Sequence, residues 1–157
     1  MAARTPTLEQ LRRAPDRLKL SVIITTFNEE VNVADCIRSV LWADEILLVD
    51  SFSGDRTVEI AREFPVTVLQ REYFGSAAQK NWAIDRVQHD WVLIVDADER
   101  VQDDLAKEIL TLLASQPSAS GYYIRRENLF VDQVIRHSGW STDKVVRLFR
   151  RDKGRYP

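Results

Sequence analysis

The chain is 157 residues long and 45% apolar, with 22 basic against 24 acidic residues for a formal charge of −2. That length suits one domain with a real core, and the balanced charge argues against a nucleic-acid binder, so any anionic partner must be met locally. The single cysteine, Cys36, excludes a disulfide framework and a zinc cluster; among Val33, Ile37, Val40 and Leu41 at helical spacing it reads as a small buried hydrophobe.

The first stretch, MAARTPTLEQLRRAPDRLK, carries arginines but no apolar core of signal-peptide length. No later run reaches the roughly 18 residues a membrane span needs, so the expectation is a cytoplasmic protein. Residues 1–17 are expected to form a poorly packed extension or a short surface helix ahead of a domain over 18–157. LSVIIT then suits a central parallel strand buried on both faces, and after the polar FNEE the apolar spacing at Val33, Ile37, Val40 and Leu41 predicts a helix against a sheet. The unit returns as EILLVDSF, SGD and TVEIAREF, again as VTVLQRE, a glycine loop and SAAQKNWAIDRV, and reaches WVLIV as a fourth strand. Such alternation implies an α/β fold with a three-layer, mostly parallel sheet. A further helix places Leu105, Ile109, Leu112 and Leu113 on one stripe, with Asp103 and Asp104 in its first turn. Beyond SQPSASG the period turns strand-like in GYYIRREN, QVIRHSGW and DKVVRLFRR, which predicts additional C-terminal strands extending or flanking the sheet. An incomplete sheet exposes an edge that invites pairing with a second chain, and so a homo-oligomer.

The polar residues gather at the strands' carboxyl ends, where open α/β sheets bind ligands. FNEE follows the first strand, Asp50-Ser51-Phe52-Ser53 the second, and Asp96-Ala97-Asp98-Glu99 the fourth. That much like charge at one strand end suits a hard divalent cation, Mg²⁺ or Mn²⁺, which takes carboxylate oxygens together with substrate phosphates. The competing account, carboxylates opening the next helix, fits Glu99 better than Asp98, and Asp55 in SGDRT reads first as a helix cap. Neither GxGxxG nor GxxxxGK[ST] occurs, which argues against dinucleotide and P-loop enzymes. A metal would then have to neutralise a diphosphate, with help from Lys80.

SVIITTFNEE, EILLVDSFSGDRT, AAQKNWAI and WVLIVDADE, in this order and spacing, resemble the family 2 glycosyltransferases of the GT-A type fold. Within that family WADEILLVDSFSGDRT, REYFGSAAQKNWAI, IRHSGW and RLFRRDKGRYP are similar to bacterial lipopolysaccharide-core glycosyltransferases of the β-1,4-glucosyltransferase kind, over residues 18–157. The resemblance implies a Rossmann-like nucleotide-binding half and an inverting enzyme that moves a sugar from a nucleoside diphosphate donor, with UDP-glucose suggested, to a saccharide or lipid-linked acceptor. By motif, Thr25, Phe27, Asn28 and Glu29 would line the nucleotide pocket, Asp50 and Ser51 would hold the base, and Lys80 would stand near the donor. Asp96-Ala97-Asp98 is then the DxD motif, Asp98 binding the metal and Asp96 the ribose or metal-bound water, and the metal acts as a Lewis acid on the leaving diphosphate.

The reaction also needs a base for the acceptor hydroxyl. In the family it lies C-terminal to the DxD strand, and no clear counterpart occurs here, so the domain is expected to be C-terminally incomplete. Glu127, Asp132, His137, Asp143 and Asp152 remain as candidates, with His137 and Trp140 placed toward the acceptor. Arg147, Arg150, Arg151, Lys153 and Arg155, interleaved with Phe149 and Tyr156, could meet an anionic lipid at the inner face of the cytoplasmic membrane, or be an ordinary solvated strand and turn. Two other functions compete: a nucleotidyltransferase, which usually needs a glycine-rich basic loop that FNEE is not, and a non-catalytic nucleotide-sugar binding module.

Overall fold

The computed structural model describes residues 2–124 and 146–157 in full and the backbone of 131–135. Among the described residues seven strands form one sheet: β1 (Leu20–Thr26), β2 (Glu45–Asp50), β3 (Thr67–Gln70), β4 (Trp91–Asp96), β5 (Gly121–Ile124), β6 (Val131–Ile135) and β7 (Val146–Arg150). They lie in the order β3-β2-β1-β4-β7-β5-β6, with β3, β2, β1 and β4 mutually parallel and β7, β5 and β6 joined by antiparallel pairings. The expected α/β fold is present, with the C-terminal strands extending the sheet beyond β4.

Apolar residues from both faces of β1 and β4 explain why these strands are central. Leu20, Val22, Ile24, Trp91, Leu93 and Val95 pack into one core with helices α2 (Val33–Arg38) and α5 (Asp103–Ala114). Ile23, Val92 and Ile94 pack on the other face with Ala83, Ile84 and Val87 from and just beyond α4 (Ser76–Ile84). Each such aliphatic side chain taken from water stabilises the fold by about 1.5–3 kcal/mol. α5 buries Leu105, Ala106, Ile109, Leu110 and Leu113. Leu112, expected on that stripe, is only half-buried, because the helix turns Leu110 inward instead. The helix of α2 stops at Arg38, and Leu41 is exposed while Trp42 takes up the apolar contact. Cys36 is wholly buried as expected, and burial pushes its thiol up to about 12.

The N-terminal residues are better packed than their composition suggests. Thr7 caps a short helix, α1 (Leu8–Arg12), through a reciprocal bond with Gln10. Leu8, Leu11 and Leu18 lean on the core beside α5. Arg17 forks onto both oxygens of Asp44 at 2.9 Å, and the Leu20 amide donates to the same carboxylate at 2.8 Å. This contact fixes the entry to β1. No helix among the described residues is long and apolar enough to cross a membrane.

Candidate functional site

The chain runs outward from β1 to β2 to β3, then returns to place β4 on the other side of β1. The reversal falls between β1 and β4, and the loops leaving these strands diverge there to open a crevice. Register aligns Thr26 with Asp50 and Thr25 with Asp96, so four polar side chains lie in two adjacent rows across three strand ends. Adjacent strand residues point to opposite faces, which sends Thr26 and Asp50 to the side of α2 and α5 and Thr25 and Asp96 to the side of α4.

Asp50 is fully buried and its carboxylate accepts from the Thr26 hydroxyl at 2.8 Å, the Ser53 amide at 2.9 Å, the Ser53 hydroxyl and the Gln70 amide group at 3.2 Å. It anchors the loop after β2, and its neighbour Ser51 lines the cleft. Asn28 and Glu29 hold the same loop from the other side. The Asn28 amide donates to Ser53 Oγ and its side-chain oxygen accepts from the Gly54 amide, both at 2.8 Å. The Glu29 amide donates to Thr57 Oγ1 at 2.8 Å, and its carboxylate accepts from Asn32 at 2.9 Å. These bonds zip the loop after β1 to the loop after β2, with Asn28 and Phe52 held at φ of 51° and 58°. Asp55 joins the zipper, accepting from the Glu30 and Thr57 amides at 3.1 and 3.0 Å. It lies one residue ahead of the N-cap of α3 (Thr57–Ala61), which is Arg56 and makes no side-chain capping bond, so the expected cap is not at Asp55.

The loops so fixed border a cleft of about 450 Å³ lined by Thr25, Thr26, Phe27, Ser51, Tyr73, Ser76 and Gln79. Of the expected pocket residues, Thr25, Phe27 and Ser51 lie here. Tyr73, Ser76 and Gln79 were not foreseen, although the spacing of Ser76, Gln79 and Ala83 places them on one helical face toward the sheet. Phe27 and Tyr73 are 58% and 59% exposed at the mouth, a free aromatic surface against which a planar ring can stack.

Beside the cleft stands the acidic group. One oxygen from each of Asp96, Asp98 and Glu99 lies within 4.8 Å of the others, a hard donor set that fits a divalent ion. Asp98 is exposed and makes no hydrogen bond or ion pair among the described residues. Asp96 accepts from the Thr25 hydroxyl at 3.3 Å and lies 4.0 Å from Lys80 Nζ and 3.6 Å from Arg147. Arg147 also donates to Glu99 Oε1 at 3.0 Å, and the Asp96 amide donates to that same oxygen at 2.9 Å. Burial pushes the Asp96 carboxyl up, but Arg147 and then Lys80 outweigh it and hold it below the usual carboxylate range. For Glu99 burial prevails over Arg147, with Asp96 adding repulsion, and its carboxyl is raised.

Lys80 thus serves the acidic group rather than the cleft wall, packed 5.2 Å from the Tyr156 ring centroid. The C-terminal basic run is not one surface. Arg147 enters the acidic group, whereas the pairing of Arg150 with Trp91 puts the rest of the run at the opposite end of β4. There Arg150 pairs with Asp152 and Arg151 with Asp90, and farther on Arg155 pairs with Asp85. Asp152 therefore lies away from the acidic group, paired with Arg150. Glu127, His137, Trp140, Asp143 and the side chain of Asp132 lie outside the described residues.

Residues 21–156 match Glycosyl transferase family 2. The chain is 30% identical to the lipopolysaccharide core biosynthesis glycosyltransferase LpsC of Rhizobium meliloti, over 89% of this chain and 54% of that protein. It is 40% identical to an uncharacterized glycosyltransferase of Rickettsia typhi, over 85% of this chain and 47% of that protein. It spans about half the length of these relatives. Among solved structures, glucosyl-3-phosphoglycerate synthase from Mycobacterium tuberculosis, in complex with Mn²⁺, UDP and glucosyl-3-phosphoglycerate, superposes with a TM-score of 0.64 at 18% identity, covering 80% of this chain and 50% of that one. The shared fold is GT-A.

Proposed function

We propose, for a chain that belongs to glycosyl transferase family 2, that it is the donor-binding part of an inverting, metal-dependent glycosyltransferase. The observation that carries this reading is the juxtaposition at the β1–β4 crevice. A cleft with an aromatic mouth adjoins a group of carboxylates that suits a divalent ion. The nucleoside of a nucleoside diphosphate sugar would enter the cleft between Phe27 and Tyr73, leaving the diphosphate toward Asp96 and Asp98. Asp98, exposed and uncommitted, would hold Mg²⁺ or Mn²⁺ together with Asp96. The ion would supply Lewis-acid stabilisation of the departing diphosphate. Lys80 and Arg147 keep Asp96 ionised and put positive charge close to where the diphosphate's own charge grows. Thr25 fixes the orientation of the Asp96 carboxylate.

UDP as the donor's nucleotide is supported by the Mycobacterium tuberculosis structure, which binds UDP with Mn²⁺. A lipopolysaccharide-core saccharide as the acceptor is supported by the likeness to LpsC, and would place the reaction at the cytoplasmic face of the membrane.

Calorimetric titration of UDP with and without Mn²⁺, on the native chain and on Asp98→Ala, tests the reading. Metal-dependent binding that the substitution abolishes in a folded protein is expected. Equal binding with and without metal, or an Asp98→Ala variant that keeps the metal dependence, would refute the assigned metal site. Transfer from UDP-glucose to a core saccharide, followed as released UDP, then separates an enzyme from a binding module.

A further inference from the structure

AAQKNWAI and RLFRRDKGRYP, far apart along the chain, meet in the structure through Asn81 and Tyr156. The two residues form a reciprocal clamp. The Asn81 side chain donates to the Tyr156 carbonyl and accepts from the Tyr156 amide, both at 2.8 Å. The Tyr156 hydroxyl donates to the Val146 carbonyl at 2.6 Å, and its ring meets Phe149 edge-on with centroids 6.1 Å apart. Arg155 adds an ion pair to Asp85, just past the end of α4, at 2.6 Å. Residues 155 and 156 thus tie α4 to β7.

The tie falls beside the acidic group. Asn81 follows Lys80 and Val146 precedes Arg147, the two cations that stand 4.0 and 3.6 Å from the Asp96 carboxylate. Lys80 Nζ lies over the Tyr156 ring, 5.2 Å from its centroid, and the lysine side chain is only 12% exposed. A lysine ends in a point charge on a long flexible stem, so holding it in one place costs rotamer entropy. The face of an aromatic ring attracts an ammonium, the more so where water is excluded, and offsets that cost. We propose that Tyr156 is a positioning residue of the donor site, its ring holding the Lys80 ammonium beside Asp96 where the donor's diphosphate would lie. The proposal rests on the donor-site reading above and adds to it the residue that aims one of its cations. Leucine would pack against Phe149 but offers no face to a cation, whereas phenylalanine offers the face without the hydroxyl. The two substitutions separate the positioning of Lys80 from plain packing.

The experiment measures two quantities: the rate at which an amine-acylating reagent labels Lys80, with exposed Lys19 as internal standard, and the affinity for UDP in Mn²⁺. Both are read on the native chain, Tyr156→Phe, Tyr156→Leu, Lys80→Met and the double variant Tyr156→Leu/Lys80→Met. Tyr156→Leu is expected to speed the labelling of Lys80 relative to Lys19 about two- to fivefold and to weaken UDP binding by a similar factor. Tyr156→Phe, which keeps the ring, is expected to restore native behaviour in both. With Lys80→Met already in place, Tyr156→Leu should cost no further affinity, because the two act through one contact. Native labelling of Lys80 in Tyr156→Leu overturns the proposal. So does an affinity loss as large with Lys80→Met present as without it, or a Tyr156→Phe variant that behaves like Tyr156→Leu. Should Tyr156→Leu fail to fold, Asn81→Ala, which opens the clamp, is expected to raise Lys80 labelling, and native labelling there overturns the proposal instead. No UDP binding by the native chain, with labelling as expected, overturns the donor-site reading and the role of Lys80 within it. Unchanged labelling beside sound UDP binding overturns only the role of Tyr156.

Discussion

Replacing Arg147 with Met keeps most of its apolar stem and removes the cation between two carboxylates. Arg147 is 11% exposed and lies 3.0 Å from Glu99 and 3.6 Å from Asp96, themselves 15% and 31% exposed. At an effective dielectric of about 20, each contact carries about 5 kcal/mol of Coulomb attraction before desolvation is charged against it. Desolving the guanidinium returns much of that, and removing one partner of a buried ion network costs about 3–5 kcal/mol overall. Because Asp96 is partly open to solvent and Lys80 remains near it, the lower end, about 3 kcal/mol at pH 7.5, is the expected loss for Arg147→Met. The loss depends on pH with a definite sign. Arg147 lowers the folded-state pKa of both carboxylates, so deleting it raises both; protonation then relieves the variant as the pH falls, and the deficit narrows between pH 7.5 and 5. Urea unfolding followed by circular dichroism, with EDTA present to exclude metal, measures both quantities. A deficit under about 1 kcal/mol at pH 7.5, or one that stays constant with pH, would show that Arg147 contributes packing and not charge compensation.

Asp44→Ala removes the acceptor of the Arg17 fork and of the Leu20 amide, and is expected to cost about 1–3 kcal/mol, read as a lower urea midpoint with unchanged slope. Burial opposes ionisation of Asp44, but the bonds from Arg17 and Leu20 prevail and lower its folded pKa. Its stabilisation is therefore complete above the unfolded value and disappears as the pH falls through the folded one, so the native and Asp44→Ala midpoints should converge in acid. Gly121→Ala would set a Cβ 3.1 Å from Phe149 Cβ and 3.2 Å from the Leu148 carbonyl oxygen, backbone-bound neighbours that cannot swing away. A loss of about 1–3 kcal/mol in the same assay is expected.

The parallel half of the sheet was legible because strands buried on both faces must be apolar throughout, as LSVIIT, EILLVD and WVLIVD are. The same uniformity hid the site's geometry. A half-buried strand shows by its alternation which side each residue faces, but a strand apolar on both faces carries no such mark. The sequence therefore showed Asp50 and Asp96 as equivalent strand-end carboxylates. Register separates them: Asp50 lies level with Thr26 and Asp96 with Thr25, one residue apart on β1 and hence on opposite faces. On the face of α2 and α5 the carboxylate is enclosed by Thr26, Ser53 and Gln70 and becomes scaffold. On the face of α4 it meets Lys80 and Arg147 at the edge of the crevice and stays accessible to charge.

Arg147 was concealed for a related reason. Its neighbours Arg150 and Arg151 made it part of a basic run, while the antiparallel return of β7 beside β4 places only its first turn of charge next to Asp96. A sequence reading collects residues by proximity along the chain, but the extended strand carries Arg150 to the far end of β4 from Arg147. The division of labour follows from this placement. The first loops, zipped by Asn28, Glu29, Asp50 and Asp55, hold Phe27 and Ser51 at the cleft, while α4, the end of β4 and β7 bring the other cleft and acidic-group residues from distant parts of the chain. A substitution in the zipper should then act on affinity only through the shape of the cleft. If the proposed donor site holds, one at Asp98 or Arg147 should act instead on the metal or the diphosphate.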